Sequence, residues 1–243
     1  MALLVPIVAA RSADRIDIPT QPGITVPILY DPVTNPTANV ILFVGGDGKL
    51  SDQAQTFLLR VRYRFVEAGM SVAVPGTPSD HPGGFGPFFR TWMAHVDDVA
   101  AIVDFLKSKA RVPVWVVGNS NGTISAANAA ATLGPMAIAG VILTSAVWLD
   151  ALKNVPVEKI AVPVLVLQDA ADICPVSKPP LSQQNMPRFT SAPVKKLIVL
   201  RGPGTPAPPC GLKSGHDFYE TDEEAAGLMI DWIESNERAM MAR

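Results

Sequence analysis

The sequence predicts an α/β protein with a mainly parallel, doubly wound sheet and helices on both faces. Apolar runs rich in β-branched residues alternate along the chain with segments of helical period. The 243 residues are 48% hydrophobic and 17% charged, which is enough to bury one large core. Neither a repeat nor a linker divides the chain, so we expect a single domain over residues 14–243.

The predicted strands are short apolar runs bounded by turn residues. They cover residues 16–19, 25–30, 40–44, 71–74, 114–117, 140–143, 162–167 and 196–200. Most of these runs are apolar throughout rather than alternating, which is typical of parallel strands covered on both faces. The ends of such strands meet along one edge of the sheet, and α/β proteins build their sites at that edge.

Four helices are predicted between the strands, over residues 52–68, 91–110, 120–133 and about 222–237. The clearest is the second, where Val96, Val99 and Val103 recur at steps of three and four residues. At the start of the last helix, Thr221 and Glu224 have the spacing of a capping box, in which each side chain binds an unpaired backbone N–H.

Charge and composition exclude several classes of function. The formal net charge is −2 and the basic residues are scattered, so we expect no nucleic-acid partner. No apolar run approaches the roughly 18–20 residues of a membrane span. No group of Cys and His residues has metal-ligand spacing, so we expect no metal, and nothing indicates a cofactor. The oligomeric state is not indicated.

The N-terminus, residues 1–13, has two interpretations. Residues 2–10 (ALLVPIVAA) have the length and the small-residue ending of a signal-peptide core. No Lys or Arg precedes this stretch, although a signal peptide normally begins with one. The segment is therefore either signal-like or disordered, or it is a buried or loosely docked first strand.

A serine stands between two glycines in GNSNG, residues 118–122, directly after a predicted strand and before a predicted helix. One interpretation is a turn, because Gly, Asn and Ser are common turn residues. The other is a nucleophile, Ser120, held on a strained corner between the strand and the helix. A serine hydroxyl needs a base within hydrogen-bonding distance to act in this way.

Three histidines could supply that base. His81 lies in an irregular loop, and His95 lies beside the apolar stripe of a predicted helix, which suits a packed or surface imidazole. His216 lies in SGHDF, beyond the last strand, and alone follows both Ser120 and a loop with suitable acids. We therefore expect His216 to be the base.

The acid that orients this base should lie on a loop after an intervening strand. The strand over 162–167 is followed by QDAADICP, which contains Asp169 and Asp172. The loop must travel some residues beyond the strand to reach the His216 loop, and this favours Asp172. Asp169 stays open as the alternative, and either carboxylate could instead cap the loop.

The segments GNSNG, QDAADICP and SGHDF together resemble the α/β-hydrolase family, over a region from about residue 40 to the final helix. In that family the chain order is Ser, acid, His and the nucleophile motif is G-x-S-x-G. The resemblance implies a serine hydrolase that cleaves small-molecule carboxylic esters without a cofactor. It also implies that Ser120 is the nucleophile, His216 the base and Asp172 the acid, with Asp169 where the family commonly has glycine.

Acyl transfer also needs N–H donors for the negative charge that develops on the carbonyl oxygen. One donor should be the backbone N–H of Asn121, the residue after the nucleophile. The second should come from the glycine-rich loop 45–48, where the resemblance implies the N–H of Asp47. That loop could instead be a simple turn, but it is no P-loop, because Lys49 is followed by Leu50.

The two cysteines lie close to the predicted acid and base. Cys174 is two residues after Asp172, and Cys210 is six residues before His216. If the triad forms, these loops are neighbours, and we expect a disulfide between Cys174 and Cys210; the alternative is two reduced core thiols. A bond would favour a periplasmic or secreted protein over a cytoplasmic one.

Few residues are left to cover the site. The segment between the strands ending at 143 and beginning at 162 is too short for a large cap domain. Four aromatic residues lie on loops near the expected site and could either line an apolar acyl pocket or plug the core: Phe85, Phe88, Phe89 and Trp148.

Two further classes of function compete with the esterase. A serine peptidase, amidase or thioesterase would use the same triad, and the fold does not choose among them. A non-catalytic binding protein on the same scaffold is the third interpretation, although the chain keeps a candidate for every triad member.

Overall fold

The computed structural model describes residues 13–50, 56–204 and 207–242 of the chain. Within these residues, eight strands form one sheet: β1 (Asp14–Gln21), β2 (Ile24–Asp31), β3 (Ala38–Phe43), β4 (Met70–Pro75), β5 (Val114–Asn119), β6 (Gly140–Thr144), β7 (Val164–Asp169) and β8 (Lys195–Leu200). All eight predicted strands are present. The expectation for the N-terminus concerns residues 1–13, and residues 1–12 lie outside the described part of the chain.

The strand order is β1-β2-β4-β3-β5-β6-β7-β8. β1 and β2 form an antiparallel hairpin and β2 is antiparallel to β4, whereas every pair from β4 to β8 is parallel. A two-residue turn suffices for the hairpin, but parallel neighbours need a crossover connection. β3 to β7 are buried along their whole length, as the continuous apolar runs predict.

The described part of the chain also forms five α-helices that flank the sheet: α1 (Phe57–Glu67), α2 (Met93–Lys109), α3 (Gly122–Leu133), α4 (Pro179–Asn185) and α5 (Asp222–Met241). α1 and α5 pack on one face of the sheet and α2 and α3 on the other, so the predicted two-faced arrangement is confirmed. Residues 52–55 of the first predicted helix lie outside the described part of the chain. α4 was not predicted, since it begins with two prolines in a proline-rich segment; proline is tolerated in the first turn of a helix.

No cap domain is inserted between β6 and β7. Their connection contains two short 3-10 turns, Ala151–Asn154 and Val157–Lys159, which pack into the core beside α3. Among the described residues, no helix is both long enough and apolar enough to cross a bilayer.

The predicted capping box at the start of α5 is wrong. Thr221 occupies the N-cap position, but its side chain makes no capping hydrogen bond. Its hydroxyl instead donates to Asp169 Oδ2 at 2.9 Å, in a buried environment. The hydroxyl is thus oriented by a charge-assisted hydrogen bond to a carboxylate, and its oxygen does not accept from the backbone N–H groups of the first turn.

The turn from β5 into α3 brings backbone segments into very close contact. A Cβ on Gly122 would lie 1.9 Å from the carbonyl oxygen of Phe43, and one on Gly118 would lie 2.3 Å from the Gly122 oxygen. Between them, Ser120 has a φ of 52°, in the left-handed region that costs a non-glycine residue about 1–3 kcal/mol. The two glycines therefore allow the corner to form.

Beneath α3 lies a buried polar network. Ser125 Oγ lies 2.8 Å from Arg90 Nη1 and 2.8 Å from His95 Nε2. Arg90 also donates to the carbonyl oxygens of Val44 and Gly46 at 3.3 Å. Burial, aided by the Arg90 charge, lowers the pKa of His95 from 6.5 to about 3, so this imidazole is neutral in the folded protein.

The Gly122 contact generates a prediction about stability. Gly122→Ala should lower the free energy of unfolding by about 3 kcal/mol, because the methyl group cannot fit against the Phe43 carbonyl. The matched control is Gly227→Ala in α5, where a Cβ meets no atom within 4 Å. That change should raise stability by about 0.5–1 kcal/mol. Chemical denaturation measures both, and equal effects of the two substitutions would contradict the prediction.

The neutral His95 predicts a pH dependence. The unfolded chain binds a proton on this ring below pH about 6.5, whereas the folded protein does not until pH about 3. Stability is therefore lost as the pH falls through this window. Urea denaturation at pH of about 7 and about 4 measures this loss. Over that interval, the free energy of unfolding of His95→Gln should fall by about 3 kcal/mol less than that of the wild type. Parallel losses in the two proteins would refute the assignment, because all other titrating groups are shared.

Candidate active site

The three residues predicted to act together lie at the edge of the sheet where the parallel strands end. Ser120 follows β5, Asp172 follows β7, and His216 lies in a 3-10 turn, Gly215–Asp217, that precedes α5. Although 44 and 96 residues separate His216 from the other two along the chain, the structure brings all three together.

Ser120 Oγ lies 2.9 Å from His216 Nε2. The serine is partly exposed, and its N–H donates to the Thr144 carbonyl at 3.1 Å, which anchors the corner to β6. The imidazole is 3% exposed, and its residue's carbonyl accepts a hydrogen bond from Ser145 Oγ at 2.8 Å. A partly exposed hydroxyl thus meets a buried ring whose backbone is anchored by Ser145.

Asp172 Oδ2 lies 3.1 Å from the other ring nitrogen, His216 Nδ1. The carboxylate is also held by Gln168 Nε2 at 2.7 Å and by the Cys174 N–H at 2.9 Å. A further hydroxyl, Ser177 Oγ, lies 2.8 Å from both Asp172 Oδ2 and His216 Nδ1. Gln168 and Ser177 were missed by sequence reasoning; only a polar residue at the end of the apolar run VLVLQ pointed to Gln168.

The alternative acid, Asp169, is engaged elsewhere. Its Oδ1 accepts the N–H groups of Ala171 at 2.7 Å and Gly202 at 3.3 Å, and its Oδ2 accepts the Thr221 hydroxyl. These contacts join the ends of β7 and β8 to the start of α5. Of the two aspartates, the one that contacts His216 is Asp172.

The two predicted oxyanion donors lie on segments next to Ser120. Asn121 follows the serine directly at the start of α3, and its side chain donates to the Gly46 carbonyl at 3.1 Å. The loop that contains Asp47 passes close by, since a Cβ on Gly45 would lie 2.9 Å from Ser120 Cβ. The Asp47 carboxylate pairs with Lys49 at 3.1 Å. The backbone N–H groups of Asn121 and Asp47 stay predicted donors.

Three of the four aromatic candidates for an acyl pocket pack inward. Phe85 lies against the Arg90 guanidinium at 4.5 Å, Phe89 is 8% exposed, and Trp148 Nε1 donates to Ser182 Oγ at 2.9 Å. Their packing favours the core interpretation. Phe88 is 60% exposed and is free to contact a ligand.

A groove of about 610 Å³ lies at the opposite edge of the sheet, beside the starts of β5 and β7. Its lining includes Val114, Val162 and Met240, and no serine, cysteine or histidine is among the described residues that form it. We therefore place the candidate site at Ser120 rather than in this groove.

The predicted disulfide between Cys174 and Cys210 is confirmed. It joins the loop that carries Asp172 to the loop that leads into His216, with the two Cα atoms 4.7 Å apart. The acid and base loops are thus covalently connected as well as hydrogen-bonded.

Neither a family model nor a curated protein matches the sequence. The structure is nevertheless similar to esterase Pf2001 of Pyrococcus furiosus, at 15% identity and a TM-score of 0.69, covering 92% of each chain. It is similar to an α/β serine hydrolase without a lid from Xanthomonas campestris, at 16% identity and a TM-score of 0.64, covering 95% of this chain and 97% of the other. It is also similar to proline iminopeptidase of Mycobacterium smegmatis, at 13% identity and a TM-score of 0.67, covering 93% and 100%.

These similarities extend over nearly the whole chain. They agree with the strand order, the flanking helices and the short connection between β6 and β7. The chain has the α/β-hydrolase fold.

Proposed function

We propose that this protein is a serine hydrolase that cleaves carboxylic esters through an acyl-enzyme on Ser120. The observation that carries the proposal is the unbroken line of contacts from Ser120 Oγ to His216 at 2.9 Å and from His216 to Asp172 at 3.1 Å. A hydroxyl, an imidazole and a carboxylate in this order are the parts needed to activate a serine.

The reaction would proceed in two halves. His216 Nε2 takes the Ser120 proton while Oγ attacks the ester carbonyl carbon, and the same nitrogen then gives the proton to the departing alcohol. Water next enters, loses a proton to His216 and attacks the acyl carbon; the bond between this carbon and Ser120 Oγ then breaks, the acid leaves, and His216 returns the proton to Oγ. Asp172 keeps the ring oriented and stabilises the imidazolium in both halves.

The carbonyl oxygen becomes negatively charged in each half-reaction. The N–H groups of Asn121 and Asp47 are the donors that we propose for this charge, and each such donor lowers the barrier by about 3–4 kcal/mol in other serine hydrolases. No cofactor enters this mechanism, because the protein's own side chains supply every proton transfer.

A small-molecule ester is the proposed substrate, for two reasons. No cap domain is inserted between β6 and β7, and exposed apolar side chains lie on nearby loops, among them Phe88, Ile173 and Leu212. An esterase and a lidless serine hydrolase are among the proteins of similar structure. The second candidate is peptidase or amidase activity, favoured by the similarity to the proline iminopeptidase. A binding protein without activity would not need the aligned hydroxyl, imidazole and carboxylate.

The disulfide supports the proposed site, because it restrains the acid and base loops together. Cys174 contributes both its sulfur to this bond and its N–H to Asp172. Loss of the bond should therefore affect the position of the carboxylate as well as global stability.

The proposed nucleophile is tested by labelling. A fluorophosphonate should modify wild-type protein once, on Ser120, and Ser120→Ala should abolish labelling and reduce p-nitrophenyl acetate hydrolysis by about a thousandfold or more. Ser108→Ala, which alters an exposed hydroxyl at the end of α2, should label like the wild type. Labelling that persists in Ser120→Ala would end the proposal.

The same assay separates the two candidate activities. p-Nitrophenyl esters should be cleaved with a higher kcat/KM than the matched anilides and aminoacyl amides. A preference for the amides, abolished by Ser120→Ala, would instead establish the peptidase or amidase.

The disulfide gives a further prediction. Cys174→Ser together with Cys210→Ser should lower the free energy of unfolding by about 4 kcal/mol, because the bond closes a loop with a sequence separation of 36. We also expect a lower kcat for esters. Wild-type protein unfolded with and without reductant provides the matched comparison, and unchanged stability and kcat in the double variant would contradict this role.

A further inference from the structure

A second hydroxyl lies inside the candidate triad. Ser177 is fully buried, and its Oγ lies 2.8 Å from Asp172 Oδ2 and 2.8 Å from His216 Nδ1. Both contacts are shorter than the 3.1 Å between the carboxylate and the ring. The arrangement is thus a three-membered cluster around Nδ1 rather than a simple aspartate–histidine pair.

The chemistry of these groups fixes the direction of each hydrogen bond. An ionised carboxylate only accepts, so the single proton of the Ser177 hydroxyl is donated to Asp172. The remaining interaction of Ser177 Oγ is then as an acceptor, and His216 Nδ1 must donate to it. Nδ1 therefore carries the ring proton, which leaves Nε2 as the acceptor that faces Ser120 Oγ.

A buried chain of donors holds this cluster in place. The Trp148 indole can only donate, so Ser182 Oγ accepts a hydrogen bond from it at 2.9 Å. The Ser182 hydroxyl in turn donates a hydrogen bond to Gln168 Oε1 at 3.0 Å. This fixes the Gln168 amide with Nε2 towards the cluster. Nε2 donates to Asp172 Oδ2 at 2.7 Å and to the Ser177 carbonyl at 2.8 Å.

We propose that Ser177 is a positioning residue that shares with Asp172 the task of keeping the proton of His216 on Nδ1. The proposal rests on the proposed function, since the Nδ1–H tautomer matters because it makes Nε2 the base for Ser120. Two acceptors for one N–H give the ring a second restraint, so the tautomer does not depend on the carboxylate alone.

The competing explanation is that Ser177 only shapes its loop. Its N–H donates to the Cys174 carbonyl at 3.1 Å, and its own carbonyl accepts from Gln168. These backbone contacts persist when the side chain is changed, so substitutions of the hydroxyl separate the two roles.

The first experiment compares kinetics of side-chain variants. Ser177→Ala should lower kcat for p-nitrophenyl butyrate about tenfold and leave KM within about twofold. Ser177→Thr and Ser177→Val form a matched pair of equal size, of which only the first keeps a hydroxyl. Threonine should recover at least several-fold of the kcat lost with valine. Equal kcat values in this pair would overturn the proposal, even where Ser177→Ala fails to fold.

The second experiment reads the tautomer directly. In protein labelled with 15N-histidine, the chemical shifts of the His216 ring should show Nδ1–H in the wild type at a pH where the ring is neutral. Ser177→Ala should raise the Nε2–H fraction several-fold. An unchanged tautomer population would overturn the proposal whatever the change in kcat, because a structural role alone would then explain it.

A double-mutant cycle tests whether the two acceptors share one task. Asp172→Ala should keep at least about tenfold more activity than Asp172→Ala with Ser177→Ala, because Ser177 Oγ still accepts from Nδ1. No further loss of activity on adding Ser177→Ala would contradict this sharing.

Failure of the proposed function would be recognised separately, because Ser120→Ala would then cause no loss of activity. The tautomer measurement on His216 would still test the inference about Ser177 in that case.

Discussion

The close approach of α3 to β3 is the contact on which the site depends. Gly122 lies where any side chain would overlap the Phe43 carbonyl, so the first turn of α3 can rest directly on the neighbouring strand. The chain turns sharply at Ser120, whose φ is 52°, and the hydroxyl at this turn is partly exposed at the end of β5. The strain is tolerated because buried strands on both sides of β5 fix the corner.

Two aspartates in one short loop have separate tasks, and their neighbours determine which is which. Asp169 ends β7 and accepts hydrogen bonds from Ala171 just after β7, Gly202 just after β8 and Thr221 just before α5, so it joins the ends of these elements. Asp172 lies three residues further on, among Gln168, Ser177 and His216. Burial alone does not distinguish these carboxylates. The donors that surround them do.

The sequence predicted what local patterns encode. Mainly apolar runs bounded by turn residues located all eight strands, and the order of serine, acid and histidine along the chain selected three side chains that meet in space. The prediction failed where contacts between segments distant in the sequence determine the partner of a side chain. Thr221 donates a hydrogen bond to Asp169, 52 residues away in the sequence, instead of capping its own helix. No local pattern places Ser177 beside His216, because that contact forms only when the loop after β7 folds against the His216 loop.

The covalent link between the loops also affects the rim of the sheet. β8 is an outer strand with its residues mostly exposed or half-buried, and it lies inside the stretch that the link between Cys174 and Cys210 closes. Unpaired outer strands can exchange between molecules or recruit another chain. Because the bond joins the segments on either side of β8, this strand has less freedom to leave its own sheet and pair with a second copy. The bond between the two cysteines therefore restrains the outer strand β8 within its own sheet.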